Sequence, residues 1–442
     1  MEVTLQQMLA ARESRVQLQQ QLQRKFQCPV VCFTMNIPGP VKNTPLIRRA
    51  FHYGRQLLEG RLSGVLHREI IDAPTGCEAL YAVQEAAVKL KEICTEIEDS
   101  MPVGRLFDMD VLDIQGQKLD RNLVNGNSRN CIVCGASGRG CASRRLHKVE
   151  ELQAAVSQIL ETHFWQMDRE IIADLAVQSL LDEVNTTPKP GLVDRRNNGS
   201  HKDMDLAMFV ASAEALRPYF LTCVRIGQET AGYSAEEVFE QLRREGLQAE
   251  QTMYRVTGGV NTHKGAIFTM GILCGGLGRL WSGDVPFADS ALLLKECAKL
   301  AEVSVRKDFV KPPVTAGERL YQERGITGIR GELAAGLPSV WECSFPVFQS
   351  CLKNGYSPND AGVIALLHLI AKVQDTNLYH RGGAEGAAWA AAAAGALLPD
   401  PSREEVEALD DAYIRRNLSP GGCADLLAAT YFLHKLEKKA AD

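Results

Sequence analysis

The chain has 442 residues, 45% hydrophobic and 23% charged, with a formal net charge of −5. That length accommodates two or three domains with separate apolar cores. The acidic balance argues against a dedicated nucleic-acid binder, so any anion site must be a local cluster of cations.

The first stretch, MEVTLQQMLAARESRVQLQQQLQRKF, is polar and helix-forming and lacks the apolar core of a secretory signal. The chain has thirteen scattered cysteines, several in apolar helical patterns (Cys223, Cys274, Cys297, Cys351) where the residue acts as a small core side chain. The expectation is a reducing, cytoplasmic setting in which paired cysteines serve metal binding or packing rather than disulfides. VVCFTMNIPGP then reads as a strand running into a Pro/Gly loop. NIPGPVKN, Asn36 to Asn43, sets Lys42 at the strand end, where loops often hold ligands, although an ordinary turn accounts for it equally well.

RLFDMDVLDIQGQKLDR reads as two strands about a turn at Gln115-Gly116. Alternation puts Asp108 and Asp110 on one face of the first strand. Adjacent carboxylates repel unless a cation lies between them, and Mg²⁺ takes carboxylate oxygens together with substrate phosphates. A solvated strand face is the plainer alternative. Residues 129–147 follow, RNCIVCGASGRGCASRRLH. Cys131, Cys134, Cys141 and His147 have the spacing of a Cys₃His zinc site. Arg129, Arg139, Arg144 and Arg145 point instead to a phosphate cradle, because guanidinium forks match phosphate oxygens. Zinc, a metal-free phosphate site and plain structure all remain open on spacing alone.

From about residue 150 the pattern turns helical almost throughout, and KVEELQAAVSQILETHF predicts a helical joint. Ser234 with Glu237 and Ser402 with Glu405 form capping boxes, while Ser357-Pro358 and Ser419-Pro420 set a cap before a first-turn proline. The densest polar stretch starts where Thr-Pro-Lys-Pro-Gly stops a helix and carries Asp194, Asn197, Asn198, His201, Asp203 and Asp205 to the next helix start. Such a loop suits Mg²⁺ holding a polyphosphate, or is simply a capped surface loop. TGGVNTHKGAIFTMGIL sets His263 and Lys264 in a first turn capped by Asn261 or Thr262. A cation there opposes the helix dipole unless a phosphate binds, which makes Lys264 a candidate phosphate ligand. GITGIRGE, QDTNLYHRGG and SPGGCAD are further glycine-containing interruptions that could converge at one end of a helical bundle. GAAWAAAAAGALL is too short to span a bilayer and reads as a close-packed helix. The expected architecture is multidomain, with an α+β N-terminal domain followed by a larger all-α domain.

Together these stretches resemble two enzymes that build the prosthetic group of citrate lyase. Residues 1–160 are similar to the apo-citrate lyase phosphoribosyl-dephospho-CoA transferase in NIPGPVKN, GRLFDMDV and the Arg-x-Cys-x₂-Cys…Cys…Arg-x-His segment. Residues 165–442 resemble triphosphoribosyl-dephospho-CoA synthase in TPKPGLVDRRNNGSHKDMD, GVNTHKGAIF, QDTNLYHRGG and SPGGCADLLAATYF.

The resemblance implies a bifunctional transferase. One half would combine ATP with 3′-dephospho-CoA and release adenine. The other would load the product onto a serine of the apo acyl carrier (gamma) subunit and release pyrophosphate, with no nucleic-acid or membrane partner. It implies Mg²⁺ at Asp108 and Asp110 in the first half and at Asp203 and Asp205 in the second, with Asp194, Asp375 or Asp425 as base. Lys42, Arg105, Arg129, Arg145 and His147 would bind phosphate in the first half, and His201, His263 and Lys264 in the second. Under it the arginine-rich segment becomes an anion cradle folded by its cysteines and His147, with or without Zn²⁺. The same chemistry serving malonate decarboxylase, and a first half that only docks the carrier, are the alternatives.

Overall fold

The structure, a computed structural model, describes residues 1–441 apart from 125, 127–128, 137–140, 142–143, 145, 284–286, 309–312 and 314–315. The chain divides into two compact units, Met1–Met167 and Asp168–Asp442.

The first unit runs α1 (Leu5–Phe26), β1 (Val30–Met35), α2 (Pro45–Glu59), β2 (Val65–Ala73), β3 (Gly76–Val83), α3 (Ala87–Asp99) and β4 (Phe107–Leu112). The sheet order is β2-β3-β1-β4, and each pairing is antiparallel. Side chains alternate across a strand, so Phe33 and Phe107 share one face, where Phe33 stacks on Phe51 of α2 at 4.9 Å and meets Phe107 edge-on at 5.3 Å. The other face sets Val30, Cys32 and Leu80 against Leu22 of α1. On that second face Glu78, Thr34 and Asp108 form one cross-strand row, and Asp110 lies opposite Cys32. The two strands expected about Gln115-Gly116 reduce to β4 and one bridge between Leu112 and Lys118. Asp113 Oδ1 accepts the Gln115 and Gln117 N–H groups at 2.9 and 2.8 Å, which ties the backbone into a turn in place of a ladder.

The expected helical joint is part of α4 (Val149–Asn185), which carries the boundary between the units. The second unit continues with α5 (Leu206–Ala215), α6 (Arg217–Glu229), α7 (Ala235–Val256), α8 (Lys264–Leu280), α9 (Ser290–Asp308), α10 (Ala316–Arg324), α11 (Gly328–Ala334) and α12 (Phe345–Lys353). It closes with α13 (Pro358–Lys372), α14 (Thr376–Gly395), α15 (Arg403–Arg415) and α16 (Gly421–Ala441). The unit is therefore all-α, as the sequence pattern predicts. Helix α8 is its axis, buried without a break from Thr269 through Gly278. It lies backbone-to-backbone on α6, since a Cβ on Gly227 would stand 2.1 Å from the Gly275 carbonyl oxygen. The capping boxes at Ser234 and Ser402 form, and Ser357 caps α13. Ser419 does not cap a helix starting at Pro420: α16 begins at Gly421, and the Ser419 hydroxyl is hydrogen-bonded to His201 instead. Among the described residues, no helix is long and apolar enough to cross a membrane.

Candidate functional site

In the second unit the starts of α8, α14 and α16 line a cleft of about 600 Å³ and a chamber of about 300 Å³. Asn261, Lys264, Gly265, Asn377 and Asp425 belong to both. The glycine-containing interruptions thus meet: Gly325 and Arg330 line the cleft, His380 and Ser419 the chamber. Helix starts favour anions through their free N–H groups and dipoles.

Asp425 follows the first turn of α16, half-buried on the wall shared by cleft and chamber, and accepts the Ala266 N–H of α8. Residue 265 must be glycine for this approach, because a Cβ there would lie 1.9 Å from Asp425 Oδ2. Burial, reinforced by Glu183 and Asp375, pushes the Asp425 pKa well above the ordinary carboxylate value. Asp375 caps α14, with Oδ1 accepting Asn377 and Leu378 N–H at 2.8 and 3.1 Å, while Oδ2 accepts Cys423 N–H at 2.8 Å. Burial raises its pKa despite those three amides. Glu183 and Lys189 form a buried ion pair, and Lys189 Nζ also donates to the Glu183 carbonyl at 2.7 Å.

His201 and His263, on the chamber wall, are neutral at pH 7. His201 is held at about 4 by burial and by Arg381. Arg381 Nη2 donates to His201 Nδ1 at 3.2 Å, so Nε2 carries the proton and donates to Ser419 Oγ at 2.9 Å. His263 is held at about 3 by burial and by Lys189. Its Nδ1 lies 2.8 Å from Ser212 Oγ, whereas its buried Nε2 has no hydrogen-bond partner. Lys264 pairs with Glu250 at 2.9 Å, and its N–H donates to Asn261 Oδ1, so Asn261 closes this helix start.

The polar loop read as one cluster has two faces. His201 and Asp203 line the chamber, whereas Asp194, Asn197, Asn198 and Asp205 line a separate cavity of about 620 Å³. Asp194 accepts the N–H groups of Lys189, Arg196 and Asn197 at 2.8, 2.6 and 3.1 Å, and Asp205 caps α5 through Met208 N–H at 2.9 Å. Sequence reasoning did not single out Glu183, Lys189 or Arg381. The available signals were a lysine inside the Thr-Pro-Lys-Pro-Gly breaker and an arginine in QDTNLYHRGG.

In the first unit Asp108 and Asp110 are partly exposed on β4. Lys118 pairs with Asp110 at 2.6 Å, and Arg129 Nη1 lies 4.0 Å from Asp108. Arg129 also bonds Glu98 and donates to the Phe107 carbonyl at 2.9 Å, and Arg105 donates to the Asn130 carbonyl. Burial and nearby Arg12 lower the Lys42 pKa, and Lys42 Nζ donates to the Ile37 carbonyl. Arg15 pairs with Glu78 at 3.6 Å. Lys118 and Arg129 thus flank the Asp pair at the sheet edge, and Arg15 meets the same cross-strand row at Glu78. Cys131, Cys134, Cys141 and His147 bring their ligand atoms within 4.8 Å of one another. Arg139 and Arg145 lie outside the described residues.

Over residues 169–442 the chain matches the family ATP:dephospho-CoA triphosphoribosyl transferase, and over residues 3–163 the family apo-citrate lyase phosphoribosyl-dephospho-CoA transferase. Protein CitXG of Haemophilus influenzae is 36% identical over 451 residues, covering 97% of this chain and 96% of that one. Protein CitXG of Leuconostoc mesenteroides subsp. cremoris is 30% identical, covering 98% and 97%. The 2-(5''-triphosphoribosyl)-3'-dephosphocoenzyme-A synthase of Haemophilus ducreyi is 37% identical over 328 residues, 69% of this chain and 99% of that one.

Proposed function

Since the chain belongs to both the triphosphoribosyl transferase and the phosphoribosyl-dephospho-CoA transferase families, and is thus a transferase of citrate lyase prosthetic-group synthesis, we propose that its two units perform consecutive steps. The second unit joins ATP to 3′-dephospho-CoA and releases adenine. The first passes phosphoribosyl-dephospho-CoA to a serine of the apo-citrate lyase acyl carrier, the gamma subunit, and releases pyrophosphate.

The observation that carries the synthase assignment is Asp425, a half-buried carboxylate with a raised pKa shared by two cavities at the start of α8. In the first reaction the ribose 2′-hydroxyl of dephospho-CoA attacks the anomeric carbon of ATP while the bond to adenine breaks, through an oxocarbenium-like state. Asp425 takes the hydroxyl proton, and its raised pKa suits a group that must accept one near neutral pH. The unpartnered His263 Nε2 is available to the departing adenine or to a phosphate oxygen, and Lys264 faces the triphosphate. Among the three acids considered as base, Asp194 and Asp375 each spend their oxygens on three backbone amides, which supports Asp425. Asp203, exposed beside the chamber, has the hard oxygen donors that a triphosphate-bound Mg²⁺ takes, whereas Asp205 faces the other cavity and caps α5.

In the second reaction the carrier serine oxygen attacks the α-phosphorus of the triphosphoribosyl group, and the bond to pyrophosphate breaks. Asp108 and Asp110 would hold Mg²⁺ there, which supplies charge neutralisation of the leaving pyrophosphate. Arg105, Arg129 and Lys42 supply the fixed positive charge that meets the phosphates. The test is incubation of the purified chain with ATP, dephospho-CoA and apo acyl carrier. Adenine release together with the carrier's mass gain supports both steps. Adenine without carrier labelling removes the transferase step, and no adenine removes the synthase step.

A further inference from the structure

We propose that Cys131, Cys134, Cys141 and His147 form a structural zinc site that seats Arg129 beside Asp108. The four ligand atoms fall within 4.8 Å of one another, with Cys134 Sγ 3.4 Å from Cys141 Sγ and 3.3 Å from His147 Nε2. A tetrahedral zinc with its sulfurs at about 2.3 Å and its nitrogen at about 2.0 Å requires ligand-to-ligand separations of about 3.5–3.8 Å. The observed spread brackets that value, so zinc binding needs only sub-ångström adjustments.

The local backbone has the form such a site needs. Gly135 N–H donates to the Cys131 carbonyl at 2.9 Å and Cys131 N–H to the Ala136 carbonyl at 2.7 Å, which folds Cys-x₂-Cys into a tight turn. Gly135 has φ +72°, a left-handed conformation that favours glycine, so the turn can close directly after Cys134. The backbone N–H groups of Cys134 and Val133 point at Cys131 Sγ, the outer-sphere hydrogen bonds that stabilise a coordinated thiolate. His147 Nδ1 faces Glu151 at 4.0 Å, which leaves Nε2 toward the sulfurs. Cys141 is buried although the chain around it is polar, as a ligand held inward would be.

The turn is tied to the sheet edge. Arg105 grips the Asn130 carbonyl, and Arg129 bonds Glu98 and the Phe107 carbonyl. Glu98 in turn accepts Met109 N–H at 2.7 Å. A zinc-closed turn therefore fixes residues 129–130 against β4, and with them the guanidinium 4.0 Å from Asp108. Without the metal that guanidinium hangs on a turn with little apolar core of its own. Zinc is the class of ion expected because three sulfurs and one imidazole nitrogen form a tetrahedral soft set.

The first readout is metal content, which does not depend on the catalytic reading above. The full chain, expressed with added zinc and purified under reducing conditions, should carry about one zinc per chain. Replacing zinc by Co²⁺ should give the visible bands of a tetrahedral thiolate site. His147→Cys should retain the metal as a four-sulfur site, whereas Cys131→Ser with Cys134→Ser should lose it. In that double variant carrier loading should fall at least about tenfold while adenine release by the other unit stays unchanged, the sign that Arg129 has lost its seat. A zinc-free chain that takes up no Co²⁺ overturns the proposal. So does a two-dalton mass loss showing Cys134 and Cys141 joined as a disulfide, or undiminished zinc in the double-serine variant.

Discussion

In the first unit the candidate carboxylates, Asp108 and Asp110, lie partly exposed on an edge strand with Arg129 and Lys118 close by, whereas in the second Asp375 and Glu183 are buried and Asp425 is half-buried between two cavities. The first arrangement manages charge with counter-charge. The second manages it with backbone amides and exclusion of water, and Glu183 alone of the three has an ion-pair partner, Lys189. Phosphoryl transfer needs positioning and neutralisation of charge already present, which exposed ion pairs supply. Displacement at a sugar carbon needs proton transfer at neutral pH, which a raised carboxylate pKa supplies. The two sites differ as their proposed reactions differ.

The most damaging single change should be Asp425→Asn. It removes the proton acceptor while preserving shape, so adenine release should fall about 10²–10⁴-fold. Carrier loading from preformed triphosphoribosyl-dephospho-CoA should persist. Loss of both activities together would erase the contrast. Asp108→Ala is the mirror test: carrier loading should drop by at least about a hundredfold with adenine release intact, measured by mass spectrometry of the carrier. Retained loading in that variant would remove Asp108 from the transferase site.

Stability separates the units next. Gly227→Ala forces a Cβ to within 2.1 Å of the Gly275 carbonyl oxygen at the α6–α8 crossing. Overpacking of this kind costs about 1–3 kcal/mol, so a calorimetric scan should show a lower melting temperature for the all-α unit and little change in the other. The smallest effect is in pH dependence. His263 is held near 3 when folded against 6.5 in an unperturbed chain. Below 6.5 the unfolded chain binds a proton that the folded one refuses, so this contribution to stability, full above 6.5, is lost as pH falls toward 3. Raised carboxylates such as Asp425 act with the opposite sign. The informative quantity is therefore a difference: His263→Gln should lose less melting temperature than the parent between about pH 7 and about pH 5.

What the sequence by itself determined is the order of fold classes and the segments that matter. The β-rich run VVCFTM and the alternation of LFDMDV specified strands, helical spacing and capping boxes after residue 150 specified an all-α unit, and glycine-bearing interruptions marked the helix starts that meet at the cavities. Those signals are local, set by backbone preferences within a few residues. The sequence did not separate the acids from one another. Asp194, Asp205, Asp375 and Asp425 look alike in a string, and only the tertiary structure commits Asp375 to an amide 48 residues away and sets Asp425 against Gly265. It also split one polar loop between two cavities and drew Ser419 from a capping role to His201. Burial and hydrogen-bond partnership arise from segments distant in the chain, and these two quantities set which carboxylate is poised to take up a proton and which only holds the backbone.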